Sequence, residues 1–161
     1  MHSMRIEVSS GIGFGPTELA AFDAALIAAG VANFNLLVLS SVIPNGSEVV
    51  VRTDPLLAPS GSWGDRLYVV LAQHRVSLRN AEAWAGLGWV QDERTGRGLF
   101  VEHHGNAHAE VQQDIADSLT ALCESRGESF GAQQMTIAGA TCHAEPACAV
   151  VVATYQSAKW Q

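Results

Sequence analysis

Two adjacent serines, Ser40 and Ser41, close the apolar run Asn33-Phe34-Asn35-Leu36-Leu37-Val38-Leu39 and precede Val42-Ile43-Pro44. Two hydroxyls and two amides in so apolar a segment ask for a reason, because a buried polar group costs free energy unless it is hydrogen-bonded. A structural role is the ordinary account of such a pair. One chemistry uses the Ser-Ser bond directly. The hydroxyl of Ser41 attacks the carbonyl carbon of Ser40 and moves the acyl chain from nitrogen to oxygen. β-Elimination of that ester and loss of ammonia then turn residue 41 into a pyruvoyl group.

Other residue types with chemical potential are less organised. Gly11-x-Gly13-x-Gly15 after a strand and before a helix invites a phosphate-loop reading. The spacing is not GxGxxG and no Walker-type Lys follows, so a tight backbone turn is the expectation. His103, His104 and His108 cluster, with His104 and His108 one helical turn apart, but a third ligand at motif spacing is missing. Solvent-facing histidines are expected, and no metal. No GxSxG elbow is present, so the usual hydrolase nucleophile signature is missing. Cys123, Cys142 and Cys148 are odd in number and form no CxxC pair, which suits free thiols in a reducing cytoplasm.

The elements that must position these residues follow from periodicity. Met4, Ile6 and Val8 alternate with polar residues and predict an opening strand. Three glycines then break regular structure, and Pro16 suits a first helical turn. Leu19, Phe22, Leu26 and Ile27 keep a helical stripe up to Gly30. Asn33 to Ser41 reads as one buried strand, and Thr53 to Asp65 as a loop. Leu67–Ala72, Ala83–Val90, Leu99–His103, Met135–Thr141 and Ala147–Thr154 are further strands. Val111, Ile115, Leu119 and Leu122 predict a helix from Ala107 to Arg126, closed by Gly127. Consecutive strands often follow one another directly, which predicts an α+β sandwich with mainly antiparallel sheets.

Composition bounds the function. The 161 residues form about one domain, 1–161, with 48% hydrophobic and 16% charged residues. The charged share lies below the roughly 25% of an average soluble domain, a hint that apolar surface is covered by another subunit. No apolar run approaches the ~18 residues of a spanning helix, and the first residues hold no signal-peptide core, so neither membrane insertion nor secretion is expected. A formal charge of −7 makes nucleic acid a poor partner.

The whole set of motifs resembles the pyruvoyl-dependent arginine decarboxylase family. The resemblance rests on Gly15-Pro16-Thr17-Glu18-Leu19, Ala21-Phe22-Asp23-Ala24-Ala25-Leu26, Ala29-Gly30-Val31-Ala32-Asn33-Phe34-Asn35, Leu39-Ser40-Ser41-Val42-Ile43-Pro44 and Gly98-Leu99-Phe100-Val101-Glu102. It implies a four-layer αββα sandwich and self-cleavage between Ser40 and Ser41 into a β chain (1–40) and an α chain (41–161). It further implies a homotrimer with active sites between subunits.

Its implied activity is decarboxylation of L-arginine to agmatine through a Schiff base to the pyruvoyl group, without PLP or metal. Glu102 resembles the proton donor; among Phe100, Val101 and other apolar neighbours its carboxyl would stay protonated. Asn35 resembles the residue that orients the substrate carboxylate. Asp23 resembles the partner of the guanidinium, with Leu19, Ala32 and Phe34 as apolar walls. Outside the resemblance, Glu102 reads as a rim carboxylate and Asp23 as a solvent-facing residue. Lysine or ornithine as substrate, or a non-processing trimeric binding protein, are the alternatives.

Overall fold

The computed structural model describes residues 3–54 and 59–161. The chain runs β1 (Met4–Phe14), α1 (Glu18–Ala29), β2 (Asn35–Val38), β3 (Val42–Ile43), β4 (Ser47–Val51), β5 (Arg66–Val76), β6 (Glu82–Gln91), β7 (Gly98–Gly105), α2 (His108–Arg126), β8 (Gln134–Thr141) and β9 (Ala147–Ala158). One sheet has the order β2-β5-β9-β1-β4 and the other β3-β7-β6-β8. Among the described residues, only β1 with β4 and β2 with β5 pair in parallel.

Strand β9 explains the layering. Side chains alternate along a strand, so its two faces can serve two cores. Cys148, Val150 and Val152 pack with Ala21, Ala25 and Leu26 of α1. Ala149, Val151 and Ala153 pack instead with Leu87, Trp89 and Phe100 of the second sheet. On the far side Val111, Ile115 and Leu119, spaced by one helical turn, bury the inner face of α2 against Val90, Leu99 and Val101. The order is helix, sheet, sheet, helix, the α+β arrangement with mostly antiparallel sheets expected from the sequence. Each fully buried aliphatic side chain contributes about 1.5–3 kcal/mol. No helix among the described residues is long and apolar enough to cross a membrane.

Three local expectations change. Gly11 and Gly13 do not break β1, which continues to Phe14. Both lie under α1, and a Cβ at either would run into the backbone of Ala25. These glycines therefore set how closely the helix approaches the strand. Helix α1 begins at Glu18, two residues after Pro16, with Thr17 Oγ1 accepting from the Ala20 N–H at 3.0 Å and Gly30 closing it at φ +83°.

The run from Asn33 to Ser41 is not one buried strand. It is the short edge strand β2, with Leu37 and Val38 exposed, followed by a crossing to β3 in the other sheet. An edge strand that leaves its sheet has no second neighbour to bury it, which periodicity alone does not reveal. Strand β4 lay outside the predicted elements altogether. Within the predicted loop Thr53–Asp65, residues 55–58 lie outside the described residues, and the rest holds no helix or strand.

Candidate active site

The Ser40-Ser41 pair sits where the chain passes from one sheet to the other. Before it, the Leu39 N–H donates to the Val69 carbonyl at 2.8 Å, extending the β2–β5 pairing. After it, the Phe100 N–H donates to the Ser41 carbonyl at 2.8 Å, and Val42 and Ile43 pair with Leu99 and Gly98 of β7. Between these anchors Ser41 adopts φ +88°. A side chain with a Cβ loses about 1–2 kcal/mol in the left-handed region. Among the described residues Asn80 is the other non-glycine there, a residue type that tolerates it. Strain of this kind persists only where the surroundings enforce it, and it points to a function.

The geometry has a direct chemical consequence. Rotation about the Ser41 N–Cα bond sets where Cβ lies relative to the carbonyl carbon of Ser40. At φ +88°, tetrahedral geometry brings Cβ to about 30° from eclipsing that carbon, against roughly 120° in an extended residue. A five-membered ring closing Ser41 Oγ onto the Ser40 carbonyl needs that small torsion. The hydroxyl itself donates to Glu102 Oε2 at 3.1 Å.

Glu102 stands on β7 opposite Leu87 of β6. It follows Phe100, buried between the sheets, and Val101, buried under α2. Glu102 itself is exposed, so this chain alone does not supply the apolar enclosure expected for its carboxyl. A hollow of about 340 Å³ adjoins it, lined by Phe100, His103, Ser118 and Leu122 among others.

The remaining candidates gather elsewhere. Leu19, Asp23 and Ile27 are spaced by four on α1 and share one exposed face. Leu19 is 67% and Ile27 63% exposed, leaving the carboxylate flanked by uncovered apolar side chains. Ile27, Ala32 and Phe34 line a second hollow together with Ser62 and Trp63. Asn35 opens β2; its Nδ2 donates to the Gly64 carbonyl at 2.8 Å, which also accepts from Trp160 Nε1 at 2.7 Å.

From Asn35 to Leu39 the extended backbone covers about 13 Å before the crossing begins. Helix α1 lies on the outer side of the first sheet, whereas Ser41 and Glu102 belong to the second. One chain thus brings Ser41 to Glu102, and Asn35 to Ala32 and Phe34. No hydrogen bond joins the two sets among the described residues.

The histidines diverge. His103 Nε2 meets Ser118 Oγ at 2.6 Å, His104 Nδ1 meets His74 Nδ1 at 2.9 Å, and His108 sets its ring edgewise on Trp84. Among the described residues no group of three or more His, Cys, Asp or Glu could hold a metal ion. Cys123, Cys142 and Cys148 are free thiols, and burial pushes Cys148 up to about 11. Sequence reasoning missed Tyr155, whose hydroxyl donates to the Val42 carbonyl at 3.0 Å. A single tyrosine in a terminal strand carries no spacing signal.

The profile of the pyruvoyl-dependent arginine decarboxylase (PvlArgDC) family matches residues 5–159, and the chain belongs to that family. It is 41% identical over 117 residues to the pyruvoyl-dependent arginine decarboxylase of Halobacterium salinarum, covering 72% of this chain and 68% of the relative. The enzyme of the same name from Picrophilus torridus is 34% identical over 121 residues, covering 73% and 64%. That from Thermoplasma volcanium is 33% identical over 131 residues, covering 79% and 69%.

Proposed function

We propose that this chain, one domain over residues 1–161, cleaves itself between Ser40 and Ser41 and then decarboxylates L-arginine to agmatine and CO₂. The observation that carries the reading is Ser41 itself, held at φ +88° with its hydroxyl on Glu102. Oγ adds to the Ser40 carbonyl carbon as its proton leaves, and the C–N bond breaks to give an ester with a free amine on residue 41. Loss of the Cα proton of residue 41 expels the Ser40 carboxylate from Cβ. Water then replaces the nitrogen, which departs as ammonia. The products are a β chain of 1–40 and an α chain that begins with a pyruvoyl group at 41.

The site fits that group: Ser41 lies beside a carboxylate, in a conformation that places Cβ near the bond to be broken. The pyruvoyl ketone supplies the electrophile and electron sink that PLP supplies in other decarboxylases, so the reading requires neither PLP nor metal. Glu102, within a hydrogen bond of the residue-41 side chain, delivers a proton to the substrate carbon from which CO₂ has left. Asn35 orients the substrate carboxylate. Asp23 accepts the guanidinium fork through two parallel hydrogen bonds, and Leu19, Ala32 and Phe34 flank the methylenes.

These groups stand in two sets within one chain, so a complete site takes Ser41 and Glu102 from one copy and Asp23 and Asn35 from its neighbour. A homotrimer provides that arrangement three times by rotation. The uncovered Leu19 and Ile27 of α1, and Val38 and Val42 beside the crossing, suit such an interface. Free thiols suit a cytoplasmic setting.

The test is incubation with carboxyl-labelled L-arginine and no added PLP. The reading predicts labelled CO₂ and agmatine in equal amounts. Turnover of lysine or ornithine in place of arginine would reassign the substrate, and no turnover of any of the three would reject the activity.

A further inference from the structure

We propose that Tyr155 is a positioning residue for self-cleavage, holding Ser41 in its left-handed conformation through the carbonyl of Val42. The proposal rests on the self-cleavage reading above.

Three hydrogen bonds bracket the Ser40-Ser41 bond. The Leu39 N–H reaches Val69, the Phe100 N–H reaches the Ser41 carbonyl, and the Tyr155 hydroxyl reaches the Val42 carbonyl at 3.0 Å. The first two are backbone pairings that any side chain would permit. The third requires a hydroxyl at position 155. Tyr155 belongs to β9 in the first sheet and Val42 to β3 in the second, so this bond spans the layer that the chain itself crosses at Ser40 and Ser41.

The anchors also reinforce one another. The Tyr155 ring lies 6.2 Å from that of Phe100, measured between centroids, and Phe100 is the residue whose N–H holds Ser41. Burial pushes the Tyr155 phenol well above its usual range, so it remains an O–H donor at neutral and moderately alkaline pH. A strained backbone relaxes when its surroundings cease to enforce it. Without the phenol the Val42 peptide can turn, Ser41 returns to negative φ, and Cβ swings away from the Ser40 carbonyl carbon. Ring closure must then wait for the rarer conformer. Tyr155 takes no part in arginine chemistry.

The test is Tyr155→Phe, which keeps the ring and removes the hydroxyl. Intact-mass analysis of freshly synthesised protein should show the cleavage half-time lengthened at least fivefold, with the same fragments. The fully cleaved fraction should keep wild-type kcat and KM. Cleavage at the wild-type rate would overturn the proposal, as would a loss of kcat equal to the loss of cleavage rate.

A second measurement does not depend on cleavage. Crystal structures of Ser41→Ala and of Ser41→Ala with Tyr155→Phe should show residue 41 at positive φ in the first and negative φ in the second. Positive φ in both would overturn the proposal. If wild-type protein never cleaves, the self-cleavage reading fails, and this pair of structures still decides whether Tyr155 holds the backbone.

Discussion

The hydroxyl of Ser41 donates to Oε2 of Glu102 at 3.1 Å across 61 positions of sequence. The contact joins the crossing between the sheets to strand β7 and places a carboxylate beside the hydroxyl that, in the proposed self-cleavage, attacks the Ser40 carbonyl. One pair of side chains can therefore serve two reactions in turn, first at the backbone and then at the substrate.

Glu102→Gln separates those two uses. The amide oxygen still accepts the Ser41 hydroxyl, so both fragments should form, while the acid proposed to protonate the substrate carbon is lost. We predict normal fragments by intact mass and a fall in kcat of roughly 10²–10⁴, the range of general-acid contributions. An unchanged decarboxylation rate would remove Glu102 from the mechanism.

Asp23 tests the substrate. Asp23→Asn should lower kcat/KM for arginine at least about tenfold and leave self-cleavage intact, because Asp23 lies on α1 and takes no part in the proposed acyl shift. The wild-type enzyme should prefer arginine to lysine by tenfold or more, about 1.4 kcal/mol, because an ammonium offers one carboxylate no parallel fork. Equal rates on arginine and lysine would mean that the guanidinium site lies elsewhere.

Sharing of the site between copies is tested by complementation. Ser41→Ala and Asn35→Ala chains should each be inactive alone. Co-expressed in equal amounts and mixed at random in a ring, about one site in four receives both intact halves, and activity should recover to about a quarter of wild type. No recovery from mixed oligomers would place the whole site within one chain.

The His74–His104 contact predicts a pH dependence of stability. Burial, then the charge of His104, hold the His74 pKa below the ordinary 6.5, opposed by Asn106, Glu18 and Glu110. The fold therefore favours the neutral ring, and the unfolded chain takes up the proton at higher pH. That contribution is fully present above about 6.5 and is lost as pH falls through the lower folded value. The denaturation midpoint should drop between pH 7.5 and 5.5, and His74→Gln should flatten the drop. The same slope in His74→Gln would assign the pH dependence to other groups.

The layers were legible in the sequence because burial leaves a period. Val111, Ile115 and Leu119 mark α2, and the strands from Leu67 onward carry continuous apolar runs. What the sequence hid depends on contacts between distant elements. Gly11 and Gly13 looked like a loop because nothing local says that α1 lies on them. The segment around Ser40 and Ser41 looked like a buried strand because its change of sheet is set by β5 and β7, distant in sequence. Ser41 and Glu102 were nominated together by motif, and the fold brings them into contact. Asn35, Asp23, Leu19, Ala32 and Phe34 were nominated with them, yet one chain keeps these apart from Ser41. Tyr155 and Trp160 act through single hydrogen bonds to backbone carbonyls, and such roles leave no pattern in composition or spacing.

The central claim is that the bond between Ser40 and the left-handed Ser41 breaks to make the reactive group. Intact-mass measurement of purified wild-type protein beside Ser41→Ala tests it most directly. Wild type should give two fragments, 1–40 and 41–161, the larger blocked at its N-terminus by a ketone that borohydride reduces with a gain of two hydrogens. Ser41→Ala should give one uncut chain with no activity. A single full-length species from wild type, or normal fragments from Ser41→Ala, would contradict the account.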